Sequence, residues 1–137
     1  MLKTNLSVAL EAKTYARRHI LQGSTQLETN HLPIPERIKI YANVKSMRQE
    51  IRNLASQSLL GVPQLLNYYY NIQLTLQSHL GNCHELAVMA LKYILDNEPK
   101  IEAELFRIKG GDHVFLVVGR NNNSNTRAPL SWGENAY

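Results

Sequence analysis

The cysteine at position 83, the single one among 137 residues, is the side chain best suited to nucleophilic chemistry. It follows Gly81 and Asn82, which let the backbone turn and offer an N-cap to a helix that starts at Cys83. The unpaired N–H groups and partial positive charge of a helix start favour the thiolate, the form of cysteine that attacks. A buried structural cysteine is the alternative, and Cys83 alone does not decide between the two.

A downstream histidine can supply the base that such a nucleophile needs. His113 follows a glycine-containing turn and opens an apolar strand, where it alternates with Phe115 and Val117 on one face. A histidine on an apolar face is either a satisfied core residue or a base directed at a reacting group. Its position downstream of a cysteine at a helix start favours the second interpretation, so we predict a catalytic pair of Cys83 and His113.

Gln77 lies six positions before Cys83 and is a candidate oxyanion donor. Its side-chain amide and the backbone N–H of Cys83 would together stabilise the oxyanion that forms when a thiolate attacks a carbonyl. The alternative is an ordinary polar position on the preceding helix, and the sequence leaves both interpretations open.

Potential metal ligands also crowd around Cys83, namely His79, His84 and Glu85. A zinc site needs four well-placed ligands, or three and a water molecule. The sequence contains neither a second cysteine nor a His-Glu-x-x-His motif, and it has no phosphate-binding glycine loop. We therefore predict no metal and no cofactor.

Hydrophobic periodicity predicts three helices before Cys83, over residues 6–21, 36–60 and 65–76, with Gly61 ending the second. The Cys83 helix should stop at residues 96–99, and residues 101–108 and 114–118 should form a hairpin of two strands. This order predicts an α+β fold with a helical N-terminal half, then a Cys-bearing helix packed on a small antiparallel sheet. Residues 1–137 are expected to form a single domain, with the catalytic core in residues 77–137.

The same periodicity predicts which helix faces are buried. The first helix should bury Leu6, Ala9, Leu10, Ala16 and Ile20. The second should bury Ile38, Tyr41, Val44, Ile51 and Leu54. The helix that starts at Cys83 should bury Cys83, Ala87, Ala90, Leu91, Ile94 and Leu95.

The motif Gln-x-x-x-Gly-x-Cys over residues 77–83 resembles that of papain-like cysteine proteases, and residues 81–87 followed by His113 resemble the transglutaminase-like core. The resemblance covers residues 77–137. It implies a thiol enzyme acting on amides, as a cysteine protease, a glutamine deamidase or a transglutaminase. Compact members of this class include bacterial effectors delivered into host cells. The resemblance therefore implies a protein substrate, which for an effector would be a host protein.

A third catalytic residue, an Asp or Asn that orients the histidine, is the point at which this sequence departs from the family. In papain-like enzymes an Asn precedes Ser-Trp-Gly, whereas here Leu130 precedes Ser131-Trp132-Gly133. Asp112 should project to the strand face opposite His113. Glu134 and Asn135 remain as candidates, and we prefer Asn135 because its amide oxygen can accept the imidazole N–H. We also expect that the sequence is cut short and that an Asp lies beyond Tyr137.

Composition restricts the remaining classes of function. The single cysteine predicts a reducing compartment, either the cytoplasm or, for an effector, the host cytosol. No signal peptide and no membrane span are expected from the hydropathy of the sequence. The net charge is +4, and its basic residues, Arg48 among them, are expected on a solvated helical face rather than in a nucleic-acid site. A rival hypothesis is a non-catalytic helical interaction module with a degenerate thiol-enzyme fold.

Overall fold

The computed structural model describes residues 3–21, 33–57, 63–111 and 113–137, with the backbone alone at 54–57 and 63–66. Four helices come first: α1 (Asn5–His19), α2 (Ile34–Gln57), α3 (Pro63–Ser78) and α4 (Cys83–Asn97). Strands β1 (Ala103–Arg107) and β2 (Val114–Val118) follow, and a short 3-10 turn, Pro129–Ser131, comes near the end. The predicted α+β class is therefore confirmed, as four helices and a two-stranded antiparallel sheet.

Helix α1 begins where Thr4 caps it, since the Thr4 hydroxyl accepts a hydrogen bond from the Ser7 backbone N–H at 3.1 Å. Its buried stripe is Val8, Ala12, Ala16 and the following Ile20, which recur every four residues. The prediction that Leu6 and Leu10 are buried is wrong, because both are largely exposed. Small residues line this stripe, so they allow α1 to pack closely along α4.

Helix α2 buries Ile40, Val44, Met47 and Ile51, again at helical spacing. The expected burial of Val44 and Ile51 is confirmed, but Ile38 and Tyr41 are 62% and 55% exposed. The buried stripe thus starts at Ile40 and leaves Ile38 and Tyr41 outside it. Gly61 and the side chain of Leu54 lie outside the described residues.

Helix α4 is the central helix of the fold, since it contacts α1, α3 and both strands. Ala87, Ala90 and Ile94 are buried as predicted, and Val88 and Met89 are buried as well. Leu95 is 51% exposed, contrary to its prediction, because the adjacent Ile94, at 0%, takes the buried position of this turn. Burial on several sides makes α4 a fixed reference for the residues at its start.

The two strands pair in antiparallel register, with Ala103 opposite Val118 and Arg107 opposite Val114. Val118 and Leu116 pack against the core formed by α1 and α4, so one sheet face covers α4. Because side chains alternate, the other face carries Phe106, His113, Phe115 and Val117. The Trp132 ring lies 4.9 Å from the Phe106 ring, between ring centroids. We call this second surface the aromatic face.

The last described residue returns to β2. Tyr137 and Val118 exchange two backbone hydrogen bonds, of 2.7 and 2.9 Å, as antiparallel neighbours do. The next residue, Gly119, donates instead to Glu102 beside β1. Tyr137 therefore lies at the edge of β2 away from β1, near the end of the strand that is farthest from His113.

Candidate thiol site at the start of helix α4

Cys83 is the first residue of α4 and follows Asn82, whose extended backbone makes it the N-cap residue. The thiol-bearing residue is half-buried. The backbone N–H groups of the first helical turn lack intrahelical acceptors and concentrate positive potential there. Cys83 therefore lies at a helix start, as predicted.

A buried carboxylate fixes this helix start. Glu85 is completely buried, and its Oε1 accepts the Asn82 backbone N–H at 3.0 Å. This is the glutamate half of a capping box, in which the side chain three residues into the helix reaches back to the N-cap. The backbone immediately before Cys83 is thus tied to the first turn of α4.

Gly81 is required by the same arrangement. A Cβ atom at this position would lie 2.4 Å from the Glu85 Cβ and 3.2 Å from Ile20. The Glu85 Cβ is attached directly to the helix backbone and cannot move aside without shifting α4. The glycine before the cysteine therefore leaves room for the buried glutamate.

Arg48 of α2 completes this arrangement from a distant part of the chain. Its Nε and Nη2 donate to the two carboxylate oxygens of Glu85 at 3.1 and 2.8 Å, a two-point contact. Arg48, which was expected on a solvated helical face, is 36% exposed and also pairs with a completely buried carboxylate. The spacing of Asn82 and Glu85, three positions apart, is a sequence signal for this cap.

His113 lies at the start of β2, where its carbonyl accepts the Ile108 backbone N–H. Its side chain is exposed, and its ring stacks on that of Phe115 with centroids 5.6 Å apart. The predicted alternation with Phe115 is thus present, but these side chains lie on the aromatic face, whereas α4 packs on the opposite face. The structure brings the backbone of the hairpin near the start of α4 and directs the imidazole of His113 away from it.

Gln77 is exposed on the last turn of α3. It borders a shallow cleft between α2 and α3, which is lined by Asn43, Ser46, Met47, Glu50, Leu74, Gln77 and Ser78. The short connection from Gln77 to Cys83 turns at His79, whose backbone has a positive φ and whose ring contacts the His19 carbonyl. The structure does not direct Gln77 toward the thiol.

Asn135 lies at the other end of β2 from His113. Its carbonyl accepts a hydrogen bond from the Asn5 side chain at 3.0 Å and lies close to Gly119. The strand from His113 to Val118 spans roughly 16 Å, so an Asn135 side chain near Gly119 cannot reach the His113 ring. Glu134 is an exposed neighbour of Asn135, and Asp112 lies outside the described residues.

A cavity of about 390 Å³ lies beside the start of α4, where α2, α3 and the hairpin meet. His84, the residue after Cys83, lines it together with Arg107 and Val114. Burial lowers the pKa of His84, and the positive charges of Arg48 and Arg107 lower it further against the opposing charge of Glu85. The imidazole Nδ1 is buried and has no hydrogen-bond partner among the described residues. From the sequence, His84 was a candidate only as a metal ligand.

No group of three potential metal-ligating side chains occurs within the described part of the chain. Across the same residues, no helix combines the length and apolar character of a membrane span.

No family model, curated protein or solved structure matches this chain. The chemistry of the site therefore rests on its own residues. They place a half-buried thiol at a helix start that is held in position by its cap. The next residue, His84, lines a cavity that arginine side chains also border. The arrangement suits attack on a carbonyl whose oxygen is received by backbone N–H groups at the start of α4.

Proposed function

We propose that this protein is a thiol-dependent enzyme acting on amide bonds, with Cys83 as nucleophile in a papain-like or transglutaminase-like core. The observation that carries the proposal is the position of Cys83 as first residue of α4, held by the Glu85 cap and the Arg48 pair. A thiol at a helix start is favoured as thiolate, and a rigid backbone orients it toward a substrate. The two motifs that resemble this superfamily, around residues 77–87 and at His113, support the same chemistry.

The reaction proceeds in two steps. The Cys83 sulfur bonds to the amide carbonyl carbon, the C–N bond breaks, and a thioester forms while a proton passes from the base to the leaving amine or ammonia. Water then attacks the thioester, gives its proton to the base, and releases a carboxylate and the thiol. A peptide bond yields protease activity and a glutamine side chain yields deamidation, whereas an amine in place of water yields transglutamination.

His113 is the proposed base, and this role requires a change in the hairpin. Its ring lies on the aromatic face, so His113 must turn before its imidazole faces the thiol. The exposed ring is held by stacking on Phe115, an interaction worth only about 1 kcal/mol. Asn135, at the other end of β2, is too distant to orient it.

The test is the rate at which iodoacetamide alkylates Cys83 at neutral pH. We expect faster alkylation in the folded protein than in the urea-unfolded chain, and His113→Ala should slow it at least about tenfold. The matched control is His79→Ala, which removes an exposed histidine that contacts the His19 carbonyl instead. Folded and unfolded rates that are equal would exclude an activated thiol, and an unchanged rate in His113→Ala would exclude His113 as its base.

A second candidate is the helical interaction module, and one observation favours it. Ile34, Ile38 and Tyr41 form an exposed apolar stripe on α2, on the side away from the buried stripe. Together with the orientation of His113, this stripe is compatible with a surface that binds a partner protein. An unactivated Cys83 in the alkylation experiment would favour this candidate over the enzyme.

A further inference from the structure

The charged side chains, a buried amide and an imidazole that border the cavity beside the start of α4 come from four separate elements. Arg48 and Arg52 come from α2, Asn71 from α3, His84 from α4 and Arg107 from β1. These residues are up to 59 positions apart in the chain, so the fold rather than local sequence assembles them. The cavity's volume, about 390 Å³, is within the range of small-ligand sites.

The charged residues that the structure describes in this lining all carry the same sign. Three guanidinium groups face the cavity, and none of the described residues that line it is acidic. The carboxylate of Glu85 contacts Arg48 from within the protein, where it is completely buried, and it occupies only Nε and Nη2 of that guanidinium. Arg107 has no ion pair with any described residue. The cavity therefore presents an excess of positive charge to whatever enters it.

An almost fully buried amide and an unpartnered imidazole nitrogen lie in the same lining. Asn71 is 2% exposed, and its Oδ1 accepts the Thr75 hydroxyl. The Nδ1 atom of His84 is buried and unpartnered within the described residues. Buried polar groups in native proteins are nearly always satisfied, so such groups indicate a site at which a further polar partner binds.

We propose that this cavity binds an oxyanionic group, a carboxylate or a phosphate. Guanidinium groups match the planar or tetrahedral arrangement of oxygens in such anions, and amide and imidazole nitrogens complete the set of donors. Binding would place the anion beside His84, the residue that follows Cys83 in the chain. In a step that depends on the proposed enzyme function, the cavity would then select amide substrates that carry an acidic group close to the bond that reacts.

The experiment is a titration of the folded protein with inorganic phosphate and, separately, with acetate, at ionic strength held constant with sodium chloride. Binding is followed by NMR, through the ring signals of His84 and the side-chain Nε–H signals of the arginines. Arg52→Gln and Arg107→Gln are the test variants, because both arginines are exposed and neither pairs with a buried charge. Lys45→Gln, which removes an exposed charge of the same sign elsewhere on α2, is the matched control.

We expect saturable shifts at His84 with at least one anion, and each test variant should weaken binding about tenfold, as expected for the loss of a charge-assisted hydrogen bond. Lys45→Gln should retain the wild-type affinity. The anion that binds more tightly identifies the ligand as phosphate-bearing or carboxylate-bearing. The proposal is overturned if neither anion shifts His84 saturably, or if Lys45→Gln weakens binding as much as the test variants.

The Cys83→Ala variant separates this proposal from the enzymatic one. The cavity lining does not include Cys83, so oxyanion binding should persist without the thiol. If the anion binds but the alkylation experiment shows that Cys83 is not activated, the anion site stands and the enzyme proposal is rejected. If Cys83 is activated but no anion binds, the enzyme proposal stands and the anion site is rejected.

Discussion

Two arginine–glutamate pairs, one on each side of the sheet, have nearly the same geometry in different surroundings. Arg48 binds Glu85 through two hydrogen bonds of 3.1 and 2.8 Å, and Arg120 binds Glu104 through two of 3.0 Å. The Glu85 side chain is 0% exposed and that of Glu104 is 38% exposed. Burial, rather than the contact itself, sets what each pair does for the protein.

On the α4 side, the pair holds a helix start. Glu85 also receives the Asn82 backbone N–H, so losing it would leave a guanidinium and a peptide group without their partner. On the aromatic face, Arg120 also donates to Ser124 and lies 6.0 Å from the Phe106 ring centroid. Several weak contacts together hold Arg120 there, and water can replace Glu104 as an acceptor because Glu104 is partly exposed. The comparison predicts that the α4 side of the sheet, where Cys83 lies, is rigid. It also predicts that the aromatic face tolerates substitutions with little loss of stability.

The largest expected effect is that of Glu85→Ala. It removes the acceptor that the Asn82 backbone N–H shares with the partly exposed Arg48 and leaves a cavity at a fully buried site, which should lower the free energy of unfolding by about 3–5 kcal/mol. The matched control, Glu104→Ala, removes a carboxylate that is 38% exposed and leaves Arg120 its hydrogen bonds to Ser124, so the free energy of unfolding should change by about 1 kcal/mol or less. Urea denaturation of both variants measures the difference. Equal losses would mean that the two sides of the sheet are not distinguished by burial.

A smaller loss is expected from Gly81→Ala. The added methyl group would meet the Glu85 Cβ at 2.4 Å, so the start of α4 must shift, at a cost of about 1–3 kcal/mol. Gly111→Ala is the matched control, because its added methyl group would meet only ordinary contacts of 3.5 Å and longer with Ile108. Urea denaturation compares the two variants, and iodoacetamide labelling of Gly81→Ala shows whether Cys83 moves with the helix. A Gly81→Ala variant as stable as Gly111→Ala would show that the cap tolerates a shift.

The sequence predicted the helices and strands well where their signals are local. Asn82 marks the start of α4, and the turn before His113 separates β1 from β2. The buried faces of α1 and α2 were predicted less well. Each helix carries more apolar residues than one stripe can hold, and the neighbouring helix decides which stripe is buried. Ile38 and Ile40 of α2 are equally apolar, yet one is exposed and the other buried.

The site shows the same limit more sharply. Alternation correctly grouped His113 with Phe115, but both faces of β2 are apolar, so it could not tell which face α4 would cover. The capping-box spacing could have identified Glu85 from the sequence. Its partner Arg48 lies 37 positions away, and nothing local distinguishes that arginine from its neighbours on α2. Long-range pairing of this kind is a property of the packed helices.

The smallest effect concerns the pH dependence on the α4 side. The pKa of His84 is lowered in the folded protein from its ordinary value of 6.5, so the unfolded chain takes up the proton first as pH falls. The stability that the neutral imidazole contributes is complete above 6.5 and is lost as pH falls through the lower, folded pKa. Urea denaturation across this range should show a decline in the free energy of unfolding that His84→Gln reduces.

The charges around His84 sharpen this prediction. Arg48 and Arg107 both lower its pKa after the larger effect of burial, and Glu85 raises it. Arg107→Gln should therefore raise the folded pKa toward its ordinary value and flatten the acid decline, because the proton then enters the folded state more easily. Lys100→Gln removes a charge of the same sign away from the cavity and should leave the decline as it is in the wild type. If Arg107→Gln instead steepened the decline, the arginine would act on His84 through packing, and the cationic character assigned to the cavity would lose its electrostatic basis.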